Sequence, residues 1–178
     1  MRKRNYPLGK VYGLLETGPV VLLTTAHKGK ANVMTMSWHT MMEFEPPLVG
    51  CVVSGRNFSF EALRKTRQCV LNIPTEEIAA QVVACGNMSG QRRDKFAAIG
   101  LTPQPAQEVG APLIAECYAS LECRVADTRL VNRYNFFVLE VLRAWVAPSC
   151  KAPHTLHHRG HGEFAIAGRT VKLKSGMR

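Results

Sequence analysis

Between Thr35 and Ser59 the chain gathers hydroxyl, amide and guanidinium groups at spacings suited to holding an anion. Thr35 and Ser37 alternate along a strand-like run from Asn32 to Trp38. The chain then turns at Glu45-Pro46-Pro47 and resumes as a buried apolar strand, Leu48 to Val53. A polar loop follows, Ser54-Gly55-Arg56-Asn57-Phe58-Ser59. Backbone amides beside Gly55 can approach an anion closely, and Arg56 can add a charge-assisted fork. Ser59 precedes the helix-like run Phe60 to Lys65 and is expected as its N-cap, which would aim the first helical amides at the same anion. Thr and Ser are also ordinary residues of a solvent-facing strand, and a cap needs no ligand. Spacing by itself therefore leaves both readings open.

Other reactive side chains are arranged less specifically. His39 follows Trp38 directly, so in a strand one of the two faces inward and the other outward. His154, His157, His158 and His161 cluster late in the chain, and imidazoles suit several transition metals. Pro153, Gly160 and Gly162 make that segment a loop, and it lacks the carboxylate and helical spacing of metal motifs, so no metal is expected. Ser89 and Asp94 have no accompanying base or oxyanion element, which argues against an esterase. Asp94 and Lys95 are expected to cap and solvate a short helix. No Gly-x-Gly-x-x-Gly follows a strand and no Walker-type Gly-Lys-Ser/Thr occurs, so neither common phosphate-binding fingerprint is present. The six cysteines (Cys51, Cys69, Cys85, Cys117, Cys123 and Cys150) form no Cys-x-x-Cys pair and read as buried free thiols in a reducing compartment.

The elements that must position these groups read as mainly β. Pro19 to Thr25 and the strand from Ala31 flank a hairpin tip at Lys28-Gly29-Lys30. Leu48 to Val53, Cys69 to Asn72, Tyr118 to Asp127 and Asn135 to Val146 are further strands. Helices are expected at Phe60 to Lys65, from a Thr75 cap through to Gly86, and at Asp94 to Ala98 closed by Gly100. Pro103 to Pro112 reads as a loop, and residues 148 to 162 as irregular. Phe164-Ala165-Ile166 and Val171-Lys172-Leu173 are expected as a short closing hairpin about Gly168. Strands at short spacing with Gly and Pro turns imply a closed antiparallel barrel.

The chain has 178 residues, 46% of them hydrophobic, which suits one domain over residues 1–178 with a real core. Residues 1–10 read as a basic arm. The longest apolar runs fall far short of a membrane span, and no secretory stretch follows Met1-Arg2-Lys3-Arg4. A cytoplasmic protein without membrane partners is expected. The formal net charge of +10 attracts anions generally, whether nucleic acid, phosphorylated cofactors or acidic proteins. The basic residues form no stripe with interleaved aromatics, so they read mainly as solvated surface. A non-enzymatic basic barrel binding nucleic acid is the alternative this charge leaves in play.

The ordered set Asn32-Val33-Met34-Thr35, Trp38, the Pro46-Pro47 turn and Val70-Leu71-Asn72-Ile73-Pro74 resembles the flavin reductase-like, FMN-binding split-barrel family, with the flavoredoxin branch nearest. Ser89-Gly90, Asp94-Lys95-Phe96, Gly100-Leu101-Thr102-Pro103 and Leu121-Glu122-Cys123 extend the resemblance over roughly residues 15 to 145. It implies a mainly β split barrel with a few peripheral helices. It also implies a homodimer with FMN near the subunit boundary, and a cofactor site of Thr35, Met36, Ser37, Trp38, Ser54, Gly55, Arg56, Asn57 and Ser59. Within that site the Ser59 position binds phosphate and Trp38 lies near the flavin. Arg56 stands slightly later in its loop than the basic residue of flavoredoxin-type relatives. The implied activity is NAD(P)H-dependent flavin reduction, with electron transfer of the flavoredoxin type as the alternative. The flavin carries the chemistry, no side chain is assigned as nucleophile or base, and nucleic acid is not an expected partner. The late strands from Phe136 to Val146 and the His-rich segment are implied to cover the partner's cofactor.

Overall fold

The computed structural model describes residues 18–169 and 171–174. The basic arm expected over residues 1–10 lies outside them. Seven strands form one antiparallel sheet: β1 (Val21–His27), β2 (Lys30–Met36), β3 (His39–Phe44), β4 (Pro47–Val52), β5 (Gln68–Ile73), β8 (Ala119–Asp127) and β9 (Phe136–Val146). Their spatial order is β2-β1-β5-β8-β9-β4-β3. Two short hairpins accompany the sheet, β6 (Pro103–Gln104) with β7 (Leu113–Ile114) and β10 (Leu156–Gly160) with β11 (Glu163–Ile166). The helices are α1 (Phe58–Thr66), α2 (Ala79–Gly86), α3 (Lys95–Ile99) and α4 (Val131–Tyr134), with a 3₁₀ turn at Glu76–Ile78 leading into α2.

The sheet cannot be flat. Its edge strands, β2 and β3, are separated in sequence only by Ser37 and Trp38. Six strand spacings would place flat edges about 29 Å apart, whereas the chain from Met36 to His39 reaches at most about 11 Å. The sheet therefore rolls into a barrel that stays split between β2 and β3. Ser37 and Trp38 make the corner: His39 donates its backbone amide to the Ser37 carbonyl (3.1 Å) and Val52 donates to the Trp38 carbonyl (3.0 Å).

Period-two alternation buries both faces of β1. Val21 and Leu23 point into the barrel with Met36, Cys51, Cys69, Leu71, Cys123, Phe137 and Leu139. Val20 and Leu22 point outward, where with Val33 they meet Val82, Cys85, Phe96 and Leu156 from α2, α3 and β10. Helix α1 contributes Leu63 and Phe60 to the interior, with the Phe60 ring edge-on to Phe137 at 5.6 Å. The hairpin tip is a two-residue turn at Lys28 and Gly29, both at positive φ (50° and 73°), which matches the right-handed twist of the flanking strands.

Several expectations change. Strand β3 went unread because its residues are largely exposed and show no apolar alternation. Helix α1 starts two residues earlier than expected, because Asn57 takes the extended N-cap conformation (φ −77°, ψ 135°). Ser59 is therefore not the cap but lies in the first turn. Thr75 occupies the cap position before Glu76–Ile78 but makes no capping bond, whereas Asp94 caps α3 by accepting from the amides of Phe96 and Ala97. Lys95 is buried rather than solvated, since that cap aims its side chain at the end of α2. Pro103–Gln104, expected in a loop, pairs with Leu113–Ile114. The closing hairpin joins Leu156–Gly160 to Glu163–Ile166, so the His-rich segment expected to be irregular supplies a strand, and Val171 to Leu173 stays outside strands. The turn that makes this hairpin is His161-Gly162, both at positive φ.

Candidate functional site

Strand β2 organises the site because it is a sheet edge with different neighbours on its two faces. Thr35 faces outward with Val33. Its hydroxyl donates to the Val82 carbonyl at 2.7 Å, and Gly86 packs beside it. Asn32 faces the other way, and its Nδ2 donates to the Ser59 Oγ at 2.8 Å. Gly90 packs against the same Asn32. The chain from α2 to Gly90 must therefore cross the free edge of β2.

On the outer side, a cavity of about 290 Å³ lies between β2, α2 and the β10–β11 hairpin. Val20, Val82, Val83 and Phe164 give it apolar walls, while Thr35, Ser37, Asn87 and His158 supply polar atoms. The His158 and Phe164 rings meet at 5.2 Å and close one side. Of the nine residues expected from sequence, Thr35, Met36 and Ser37 line this cavity. The Met36 side chain is 5% exposed and belongs to the barrel interior. Trp38 turns the corner next to Ser37 and is 58% exposed. His39 is held by its Nε2, which donates to the Pro19 carbonyl at 2.7 Å.

The other five expected residues form a second group. Ser54, Gly55 and Arg56 make the turn after β4, in which the Arg56 amide donates to the Ser54 Oγ (3.3 Å) and the Asn57 amide to the Ser54 carbonyl (2.9 Å). This turn starts beside Trp38, through the Val52 bond, and ends at Ser59, which is tied to Asn32. It therefore runs back alongside β2. Asn57 caps α1 through its backbone alone, with no side-chain bond, so no cap side chain engages the first-turn amides. Ser59 is fully buried and already accepts from Asn32, while Gly55 and Arg56 are exposed. The two groups flank one strand edge, and the second does not line the cavity of the first.

Sequence reading missed Val82, Val83, Gly86, Asn87, His158, Gly162 and Phe164 as lining residues. The α2 residues look like an ordinary amphipathic helix, and the hairpin residues reach β2 only through long-range packing. His158 lines its own chain's cavity, a place that the resemblance had assigned to cover over a partner. His154 bonds Glu76 at 2.7 Å and His157 bonds Thr155 at 2.9 Å. Among the described residues no three His, Cys, Asp or Glu side chains gather closely enough to hold a metal ion.

Four buried thiols are held away from nucleophilic activation. Burial pushes the Cys51 thiol up to about 12, and burial likewise raises Cys85 and Cys117. Cys69 is raised by its hydrogen bond with Cys123 together with burial. All six cysteines are unpaired. No helix among the described residues is long and apolar enough to cross a membrane.

With this geometry in hand, the likeness to known proteins is specific. YddH, an uncharacterized protein of Escherichia coli, is 31% identical over 173 residues, spanning 89% of this chain and 91% of its own. The reductase component of the 4-nitrophenol 4-monooxygenase/4-nitrocatechol 2-monooxygenase of Rhodococcus opacus is 30% identical over 125 residues, 70% of this chain and 64% of its own. The crystal structure of an FMN-binding domain of a flavin reductases-like enzyme from Shewanella baltica superimposes with a TM-score of 0.81 at 24% identity, covering 98% of this chain and 100% of that one. Residues 15–164 match the flavin reductase-like domain, and the chain belongs to that family.

Proposed function

We propose that this chain is an FMN-binding oxidoreductase that acts as an NAD(P)H-dependent flavin reductase. The observation that carries the reading is the pairing, along one edge of β2, of an apolar cavity with a polar turn that leads into α1 without a capping side chain. The residues fit FMN in kind. Val20, Val82, Val83 and Phe164 suit the apolar part of an isoalloxazine ring. Thr35, Ser37 and Asn87 suit its heteroatoms and the ribityl hydroxyls. Ser54, Gly55, Arg56 and Asn57, with the first amides of α1, suit the phosphate. Ser59 backs this turn from a buried position rather than presenting a free hydroxyl.

When bound, the flavin supplies the hydride and electron chemistry. The chain's own residues hold and orient it. Thr35 is fixed by Val82, and the Val82–Gly86 stretch of α2 forms one wall. His158 and Phe164 limit water on the opposite side. No side chain is required as nucleophile, in keeping with the raised thiols. The relative that is a monooxygenase reductase component supports the reductase reading, and the FMN-binding domain of similar fold supports the cofactor. The exposed Trp38 beside Ser37 favours a second reading, electron transfer from bound FMN to a partner protein docked there.

A second copy of the chain is the proposed partner. Strand β3 ends the sheet and exposes Met41 (56%), Met42 (48%) and Phe44 (78%), an apolar edge that an isolated barrel would leave to water. That edge runs through His39 to Trp38, so a partner on β3 would reach the rim of the cavity. The compartment is proposed to be the cytoplasm, on the six unpaired cysteines.

The decisive experiment is an absorbance spectrum of the purified protein titrated with FMN, followed by anaerobic addition of NADH or NADPH. Flavin bands that perturb on binding and bleach at a saturable rate are expected, with steady turnover when free flavin is supplied. Bleaching without turnover on free flavin would leave the electron-transfer reading. No flavin binding would end both.

A further inference from the structure

Asn32 is 5% exposed and Ser59 is fully buried, and the bond between their side chains joins the inner face of β2 to the first turn of α1. Gly90 completes a three-element contact. A Cβ built there would lie 2.6 Å from the Asn32 Cγ and 3.1 Å from the Phe58 ring, so only glycine lets the loop after α2 press on this pair. Directly across from Asn32 on β1 stands Thr25, on the same sheet face, fully buried and with its Oγ1 unpartnered. The Lys30 ammonium lies 5.2 Å from the centre of the Phe58 ring, on the side where β2 begins. A buried polar group must recover its hydration through a partner, so Asn32 and Ser59 hold each other in place.

We infer that Asn32 is a positioning residue for the phosphate end of the flavin site, a role that rests on the flavin reading above. Its carboxamide donates one hydrogen bond to the Ser59 Oγ and so fixes where the first turn of α1, with its amides, stands relative to β2. Gly90 holds Asn32 in that rotamer from the other side. The consequence is selective: the latch acts on the phosphate and not on the ring, which the cavity on the outer face of β2 receives. The Asn32→Asp exchange keeps the shape but removes the Nδ2 donor and adds a negative charge near the anion. The Gly90→Ala exchange leaves Asn32 in place chemically and displaces it sterically.

The test measures dissociation constants of FMN and of riboflavin, which lacks the phosphate, for the wild-type chain and for N32A, N32D and G90A, with melting temperatures as a check on folding. The expected result is that each variant weakens FMN by about tenfold to a hundredfold while riboflavin stays within about twofold, with N32D the most affected. Three variants on two elements keep the test alive if one fails to fold. If FMN and riboflavin weaken together, Asn32 is only part of the scaffold and the inference is overturned. Unchanged FMN affinity in a folded N32D or G90A overturns it as well. Should the wild-type chain bind neither flavin, the flavin reading itself fails and this inference falls with it.

Discussion

Lys95 donates from its buried ammonium to the carbonyl of Cys85 at 2.8 Å, so the first turn of α3 closes the last turn of α2. The last carbonyls of a helix lack intrahelical donors and carry the negative end of its dipole, and a cation there answers both. Burial pushes the Lys95 ammonium below its ordinary range, while the Cys85 thiol pulls the other way. Because α2 forms one wall of the cavity, this bond links a structural cap to the site. Lys95→Met keeps the chain length but leaves the carbonyl unpaired. It is expected to cost about 1–3 kcal/mol in urea unfolding and to loosen flavin binding. Equal or greater stability would show that the charge is a net burden and the carbonyl is satisfied elsewhere.

The raised thiols predict alkaline lability. A group whose folded pKa exceeds its unfolded value contributes stability in full below the unfolded value and loses it as pH rises toward the folded one. For Cys51 that window opens near the ordinary thiol value of 9.0 and extends to about 12. Cys69, Cys85 and Cys117 are raised in the same direction. Unfolding free energy is therefore expected to decline from about pH 9, each thiol adding at most about 1.4 kcal/mol per pH unit. Cys51→Ala should reduce that slope while lowering stability at pH 7. Denaturant melts at intervals between pH 7 and 11 read both quantities, and a flat profile above pH 9 would contradict the burial of ionisable thiols.

Glu122 behaves oppositely. It is fully buried in β8, and burial alone would raise its pKa. Bonds from the Trp145 indole (2.7 Å) and from the backbone amides of Gln107 and Glu108 outweigh this and lower it. Its stabilisation is present above the ordinary carboxyl value of 4.5 and is lost as pH falls through the lowered one. Glu122→Gln turns an amide donor toward groups that are themselves donors. A loss of about 2–3 kcal/mol is expected, with release of the segment around Gln107 seen as faster amide exchange there. Unaltered exchange in that segment would show that the carboxylate does not hold it.

The exposed edge of β3 predicts self-association. Replacing Met42 and Phe44 by Glu should shift sedimentation toward monomer at concentrations where the parent chain is dimeric, while circular dichroism stays unchanged. If FMN binds the dimer preferentially, mass action requires added FMN to restore dimer in the parent chain. A parent chain that is monomeric throughout, and that holds FMN tightly, would show that each barrel carries a self-contained site.

Much of this protein was legible in its sequence where the physics is local. The hairpin at Lys28-Gly29 needs only two residues tolerant of positive φ, Asp94 needs only amides two and three residues on, and the alternation of Tyr118 to Asp127 and of Asn135 to Val146 announces β8 and β9. The ordered blocks from Asn32 to Cys123 sufficed to suggest the family. What the sequence could not decide was set by contacts distant along the chain. The reach from Met36 to His39 rolls the sheet, but only the pairing of β4 with both β3 and β9 shows that those residues span the split. Ser59 looked like a cap because hydroxyl residues before helices usually are. The packing of α1 on β2 instead moves the helix start to Phe58 and gives the hydroxyl to Asn32, 27 positions away. Lys95 looked solvated because lysine on a short helix usually is, until α2 placed a carbonyl within its reach. His158 stands out locally only as one of a late cluster of histidines, and Phe164 carries no local mark of a site. They become its wall only because the tertiary fold lays the last hairpin against the outer face of β2, where burial of Leu156 among Val20, Leu22 and Ile78 holds it.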